Sequence, residues 1–130
     1  MLTTYVSCNG SGSTTVPDGL MTWVRHPQGN SPDLFTGTDE SFTAPFTGFY
    51  EINAHAYFAA SATGTIAIAI AGVEVTADVP VAADAPASIT MIRLIEAGSG
   101  IGVKNTSAGS KALALGSSLT IKLVQRVTRP

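Results

Sequence analysis

The stretch GFYEINAHAYFAA, residues 48–60, decides how the rest of the chain is read. In an extended strand, successive side chains point to opposite faces. One face then carries Tyr50, Ile52, Ala54, Ala56 and Phe58, and the other Phe49, Glu51, Asn53, His55 and Tyr57. The first set is apolar throughout and reads as core. The second mixes aromatic rings with hydrogen-bonding groups. Water-facing strands rarely carry Phe, His and Tyr together, whereas subunit interfaces are enriched in aromatics. The stretch predicts a strand with a core on one side and an interface on the other.

The same two-residue period runs outward in both directions. Strands are expected over 2–7, 21–26, 41–44, 49–59, 65–71, 73–77, 88–96, 100–104 and 118–127. Between them, CNGSGS, HPQGNSPD, PVAADAPA and NTSAGSKA read as loops. Ala71-Gly72 reads as a tight hairpin turn. No window has helical periodicity, so the fold class is an all-β sandwich or barrel. The 130 residues predict a single domain over 1–130. Residues 1–32 are rich in Ser, Thr and Gly and form either an N-terminal arm or outer strands. On the arm reading, Tyr5, Val6 and Trp23 are its docking residues. Trp23 also reads as a core or interface aromatic, or as a stacking platform. In TGTIAIAIAG, residues 63–72, the isoleucines alternate with alanines, which are poor strand formers and leave one face bare.

Composition excludes several functions. Charged residues make up 12% of the chain, about half the usual share. Either copies or partners cover much of the surface, or it is a lightly charged Ser/Thr coat. The net charge is -2, and the one basic cluster is Lys122, Arg126 and Arg129, so no nucleic-acid partner is expected. The apolar stretch 54–73 is interrupted by His55, Ser61, Thr63, Gly64 and Thr65 and alternates, so no membrane span is expected. The single Cys8, a packed or semi-exposed thiol, rules out an intrachain disulfide framework and a cysteine-based zinc site. The start MLTTYVSCNGSG has neither a basic nor an apolar region of a secretory signal.

Catalysis needs a constellation, and the two histidines, His26 and His55, sit in no nucleophile motif. His26, before Pro27, reads as an exposed loop histidine. Asp33, Asp39 and Glu40 could approach a calcium ion but match no calcium loop and read as solvated carboxylates. No catalytic, cofactor or metal residue is assigned, and the chain is read as a non-enzyme.

The run FTAPFTGFYEINAHA, residues 42–56, resembles the central motif of the complement globular-head (C-one-q) family within the tumour-necrosis-factor-like superfamily. Phe42, Pro45, Gly48, Tyr50, Ile52 and His55 carry the likeness, and IAIAIAGVEV, SITMIRLIEAGSGIGVKN and SSLTIKLVQ continue it in order over 41–125. The chain departs from the family in lacking a collagen stalk and the aromatic usual after the Gly-containing turn. It also resembles phage-virion and bacterial spore-surface versions of the fold, which are rich in Ala, Gly, Ser and Thr.

The resemblance implies a ten-stranded, two-sheet antiparallel jelly roll that forms a homotrimer. It places Phe49, Glu51, Asn53, His55 and Tyr57 toward the threefold axis, with the closing strand around Thr120 and Lys122 beside them. His55 is then a hydrogen-bonded interface residue or, with three copies converging, a metal ligand or pH switch. The alanine face falls on the outer flank, either bare or flat against a neighbouring molecule. A domain with no stem or signal leads to the expectation of a capsid decoration protein on a phage virion surface, with the major capsid protein or another virion protein as partner. The alternative is a receptor- or glycan-binding head of a phage fibre or of a bacterial or spore surface.

Overall fold

Apolar residues at every second position, punctuated by Gly, Pro, Asn and Asp, favour short antiparallel strands over helices. The computed structural model describes residues 4–26 and 34–128. In chain order its strands are β1 (Tyr5–Gly10), β2 (Thr14–Thr15), β3 (Trp23–Arg25), β4 (Thr36–Gly37), β5 (Phe42–Thr43), β6 (Gly48–Ala56) and β7 (Gly64–Ile70). They continue as β8 (Val73–Glu74), β9 (Val79–Val81), β10 (Ala87–Ile95), β11 (Gly100–Asn105), β12 (Lys111–Ala112) and β13 (Ser118–Arg126). One sheet has the order β10-β6-β13-β1-β3; the other runs β4-β5-β11-β7-β8, with β9 also on β7. A β2–β12 ribbon closes one end. The architecture is an antiparallel two-sheet jelly roll. Among the described residues, no helix is long and apolar enough to cross a membrane.

The core forms where the inward faces meet. Tyr50, Ile52, Ala54 and Ala56 of β6 are fully buried, as are Ile66 and Ile68 of β7, Val103 of β11 and Ile121 of β13. Each large side chain among them contributes roughly 1.5–3 kcal/mol by leaving water. The Tyr50 ring meets Phe35 edge-on, with centroids 6.1 Å apart. Its hydroxyl donates to the Phe46 carbonyl at 2.5 Å and accepts from the Phe46 N–H at 3.1 Å. One inward tyrosine thereby closes the Pro45–Gly48 turn that precedes its own strand. Burial pushes the Tyr50 phenol above its ordinary value.

Several expectations change. Cys8, Asn9 and Gly10 belong to β1 and not to a loop, because β1 pairs with β13 on one side and β3 on the other. Strands β2, β4, β9 and β12 are only two or three residues long, too short to show a period. The docking-arm reading fails for Val6 and Trp23: both point into the core, at 2% and 1% exposure. Trp23 is a core aromatic, and its buried indole N–H has no hydrogen-bond partner among the described residues. Residues 1–3, most of the HPQGNSPD loop with Asp33, and Arg129 lie outside the described residues. Asp39 is not simply solvated, since it accepts from Arg25 Nε at 2.9 Å. The Ala71-Gly72 turn has positive φ at both positions, 53° and 81°, as a type I′ hairpin requires.

The alanine face is not a bare flank. Ala67 and Ala69 are 0% and 3% exposed. Lys104 on β11 stands opposite Ala67, and Glu74 on β8 stands opposite Ala69. Their side chains pair at 3.7 Å, so together they cross the outward face of β7, which lies between them. Only a residue as small as alanine leaves room for that strap. Beside it, the Leu20 side chain and the Glu40 carbonyl close over Gly102, where a Cβ would come within 2.7 Å of the carbonyl oxygen.

Candidate functional site

Among the described residues, the outward face of the five-stranded sheet has no such cover. Strand pairing lines its side chains into rows across the sheet. At one end Leu94, Phe49 and Gln125 stand side by side. The next row is Ile92, Glu51, Lys122 and Tyr5, followed by Thr90, Asn53, Thr120 and Ser7. The last row is Ser88, His55, Ser118, Asn9 and Val24. Apolar groups therefore gather at the Phe49 end, and a polar band fills the middle. Ile92, Leu94 and Phe49 are 59%, 43% and 39% exposed, a contiguous apolar patch rather than scattered single residues.

Within the polar band, Glu51 Oε1 accepts from Asn53 Nδ2 at 3.0 Å. Lys122 stands opposite Glu51 without forming an ion pair. His55 Nδ1 and Ser88 Oγ lie 2.9 Å apart. No carboxylate holds the other nitrogen of that ring among the described residues, so the pair lacks the third member of a hydrolytic triad. Among the described residues, no three His, Cys, Asp or Glu side chains gather as a metal site. His26 is half-buried, not a free loop histidine, and its Nε2 contacts Asn9 Oδ1. Burial pushes the Cys8 thiol up to about 12, so it stays protonated at neutral pH.

The structure thus brings Phe49, Glu51, Asn53 and His55 into one column of β6. Tyr57 lies just past the strand, 38% exposed, its backbone tied to Ser117 Oγ. Of the supposed docking residues, Tyr5 alone reaches this face. Ile92 and Leu94, the most apolar contributors, were not singled out by sequence. In SITMIRLI both alternating sets end apolar, so only the pairing with β6 shows which set faces out.

No protein-family model matches the chain, and no curated protein matches its sequence. Solved structures do. Eiger TNF from S. frugiperda superposes with a TM-score of 0.74 at 16% identity, covering 100% of this chain and 98% of that one. Murine APRIL, in its pH 8.5 crystal structure, gives 0.73 at 18% identity, covering 94% and 99%. The fold is a TNF-like jelly roll. Rabbit GITRL extends the likeness at a TM-score of 0.63 and 12% identity, covering 95% and 97%. At these identities the likeness establishes the fold. In this TNF-like sandwich the uncovered face belongs to the sheet that contains β6, β13 and β1.

Proposed function

We propose that the chain is a non-catalytic structural module that assembles as a homotrimer through the outward face of its five-stranded sheet. The observation that carries this is the patch of Phe49, Ile92 and Leu94, left open beside a hydrogen-bonding band. A second copy supplies what the patch lacks, an apolar surface of the same composition. Lys122, opposite Glu51 and in no ion pair among the described residues, could reach a carboxylate of a neighbouring copy. The family resemblance of residues 41–125 supports three copies around one axis, with Phe49, Glu51, Asn53, His55 and Tyr57 lining the contact. Light scattering tests this: the expected mass is three times the 13.3 kDa chain at micromolar concentration, and a monomer sinks it.

The finer role we assign to the trimer is decoration of a phage capsid. The low charge content and the likeness to Ala-, Gly-, Ser- and Thr-rich virion versions of the fold support it. Trimers seated on a closed shell and not on free subunits stabilise the shell by mass action. Imaging of purified particles is expected to show three-lobed density repeated over the shell. A few copies at the tail would instead favour the second reading, a receptor- or glycan-binding head.

A further inference from the structure

The basic cluster at the end of the chain contains one arginine whose placement assembly does not explain. Along β13, Ser118, Thr120 and Lys122 share the outward face with His55, Asn53 and Glu51. Continued without interruption, that alternation would put Arg126 on the same face. A β-bulge prevents it: Leu123 opposes Tyr50, Gln125 opposes Phe49, and Val124 is the extra residue. Bulges re-aim the side chains that follow them. Gln125 takes the outward position, and Arg126 turns to the other side, opposite Gly48. Gly48 admits the bulge, since a Cβ there would come within 2.4 Å of the Gln125 carbonyl oxygen and 2.8 Å of Leu123 Cδ1.

The turned guanidinium lies 4.1 Å above the centre of the Phe46 ring. The backbone that carries that ring is held by two hydrogen bonds to the Tyr50 hydroxyl. The ring contact seats Arg126, which forms no ion pair among the described residues. Beside it opens a cleft of about 280 Å³ lined by Pro45, Phe46, Thr47, Ala97 and Thr128, with no carboxylate among its described lining residues. Thr47 Oγ1 accepts from the Ala97 N–H at 3.0 Å, which joins the two sides of the cleft.

We propose that this cleft binds a small carboxylate-bearing ligand, with a uronic-acid sugar residue as the ligand class. A guanidinium seated over an aromatic ring still presents N–H donors, and their fork matches a carboxylate in two parallel hydrogen bonds. The Thr47 and Thr128 hydroxyls suit the sugar hydroxyls, and Pro45 and Ala97 suit a ring face. The volume lies just below the range of drug-sized pockets and fits one monosaccharide. A trimer would carry three such sites.

The test is a titration of the isotopically labelled full-length protein with glucuronate, glucose and acetate, followed by amide shifts. Glucuronate is expected to move Thr47, Ala97, Arg126 and Val127, glucose to leave them in place, and acetate to act at least several-fold more weakly than glucuronate. Arg126→Gln is expected to weaken glucuronate about tenfold or more while the association state stays that of the unaltered protein. Arg126→Lys, which keeps the charge and loses the fork, is expected to recover only part of the binding. Equal shifts from glucose and glucuronate on the unaltered protein would overturn the proposal. So would full binding by Arg126→Gln, or shifts centred on Lys122. Acetate as effective as glucuronate would overturn the sugar assignment.

Discussion

The two outward faces of the sandwich begin from similar sequence and end differently. Both come from strands alternating with period two, and both carry apolar residues where water would be expected. On the six-stranded sheet the chain covers its own apolar stripe: Lys104 and Glu74 join across Ala67 and Ala69, and Leu20 closes over Gly102. On the five-stranded sheet Phe49, Ile92 and Leu94 stay open. Small side chains invite cover from the chain's own long neighbours, whereas large ones at the end of a sheet exclude it. An alternating apolar face is thus evidence for a partner only after intramolecular cover has been ruled out.

The largest effect is expected from charging the open face. Ile92→Lys with Leu94→Lys removes about 3 kcal/mol of apolar burial per protomer, or ~9 kcal/mol per trimer. The variant is expected to sediment as a monomer with an unchanged far-ultraviolet spectrum. An intact trimer would show that the patch is not the contact.

The inward side of the same sheet supplies the next test. The Cys8 thiol is raised from 9.0 to about 12, so the folded state holds its proton after the unfolded chain has lost it. The stability this contributes is complete below about pH 9 and is lost as pH rises toward 12, by as much as ~4 kcal/mol. Tyr50, raised for the same reason, adds in the same direction above pH 10. Denaturant unfolding of the monomeric double variant at pH 8 and pH 10.5 reads this loss. Cys8→Ala is expected to shrink the difference, leaving the Tyr50 part.

Enlarging the covered face should act on stability and not on assembly. Ala67→Leu leaves no room under Lys104 and is expected to cost ~1–3 kcal/mol in the monomeric background, while the otherwise unaltered chain stays trimeric. The smallest effect belongs to the strap itself. Lys104→Met keeps an apolar stem over Ala67 and loses only a half-exposed ion pair, so the change should stay within ~0.5 kcal/mol. A larger loss, measured by urea unfolding, would mean that the charge pair and not the covering stem protects the alanines.

Much of the fold was legible because β6 lies between two neighbours and buries one face completely. Its alternation survives in the structure from Gly48 to Ala56. The hairpin at Ala71-Gly72 was legible for a similarly local reason, the positive φ that such turns need. Contacts between distant residues were not legible. The cover over Ala67 depends on Lys104, thirty-seven positions away, and nothing near the alanines announces it. Val6 and Trp23 looked like arm residues because their segment is rich in Ser, Thr and Gly; β1 lies between β13 and β3, and from these two strands Val6 and Trp23 point into the core. The bulge at Val124 leaves no trace in KLVQR, so Arg126 could be named as part of a basic cluster but not aimed.

Hydroxyl-radical footprinting of the full-length protein across a dilution series tests the central claim most directly, because it reads both faces in one sample. Phe49, Ile92 and Leu94 are expected to be protected at high concentration and to become labelled as the assembly dissociates, while Val73 and Val16, exposed on other surfaces, label equally throughout. Labelling of Phe49, Ile92 and Leu94 that stays high in a sample whose mass is trimeric would contradict the account.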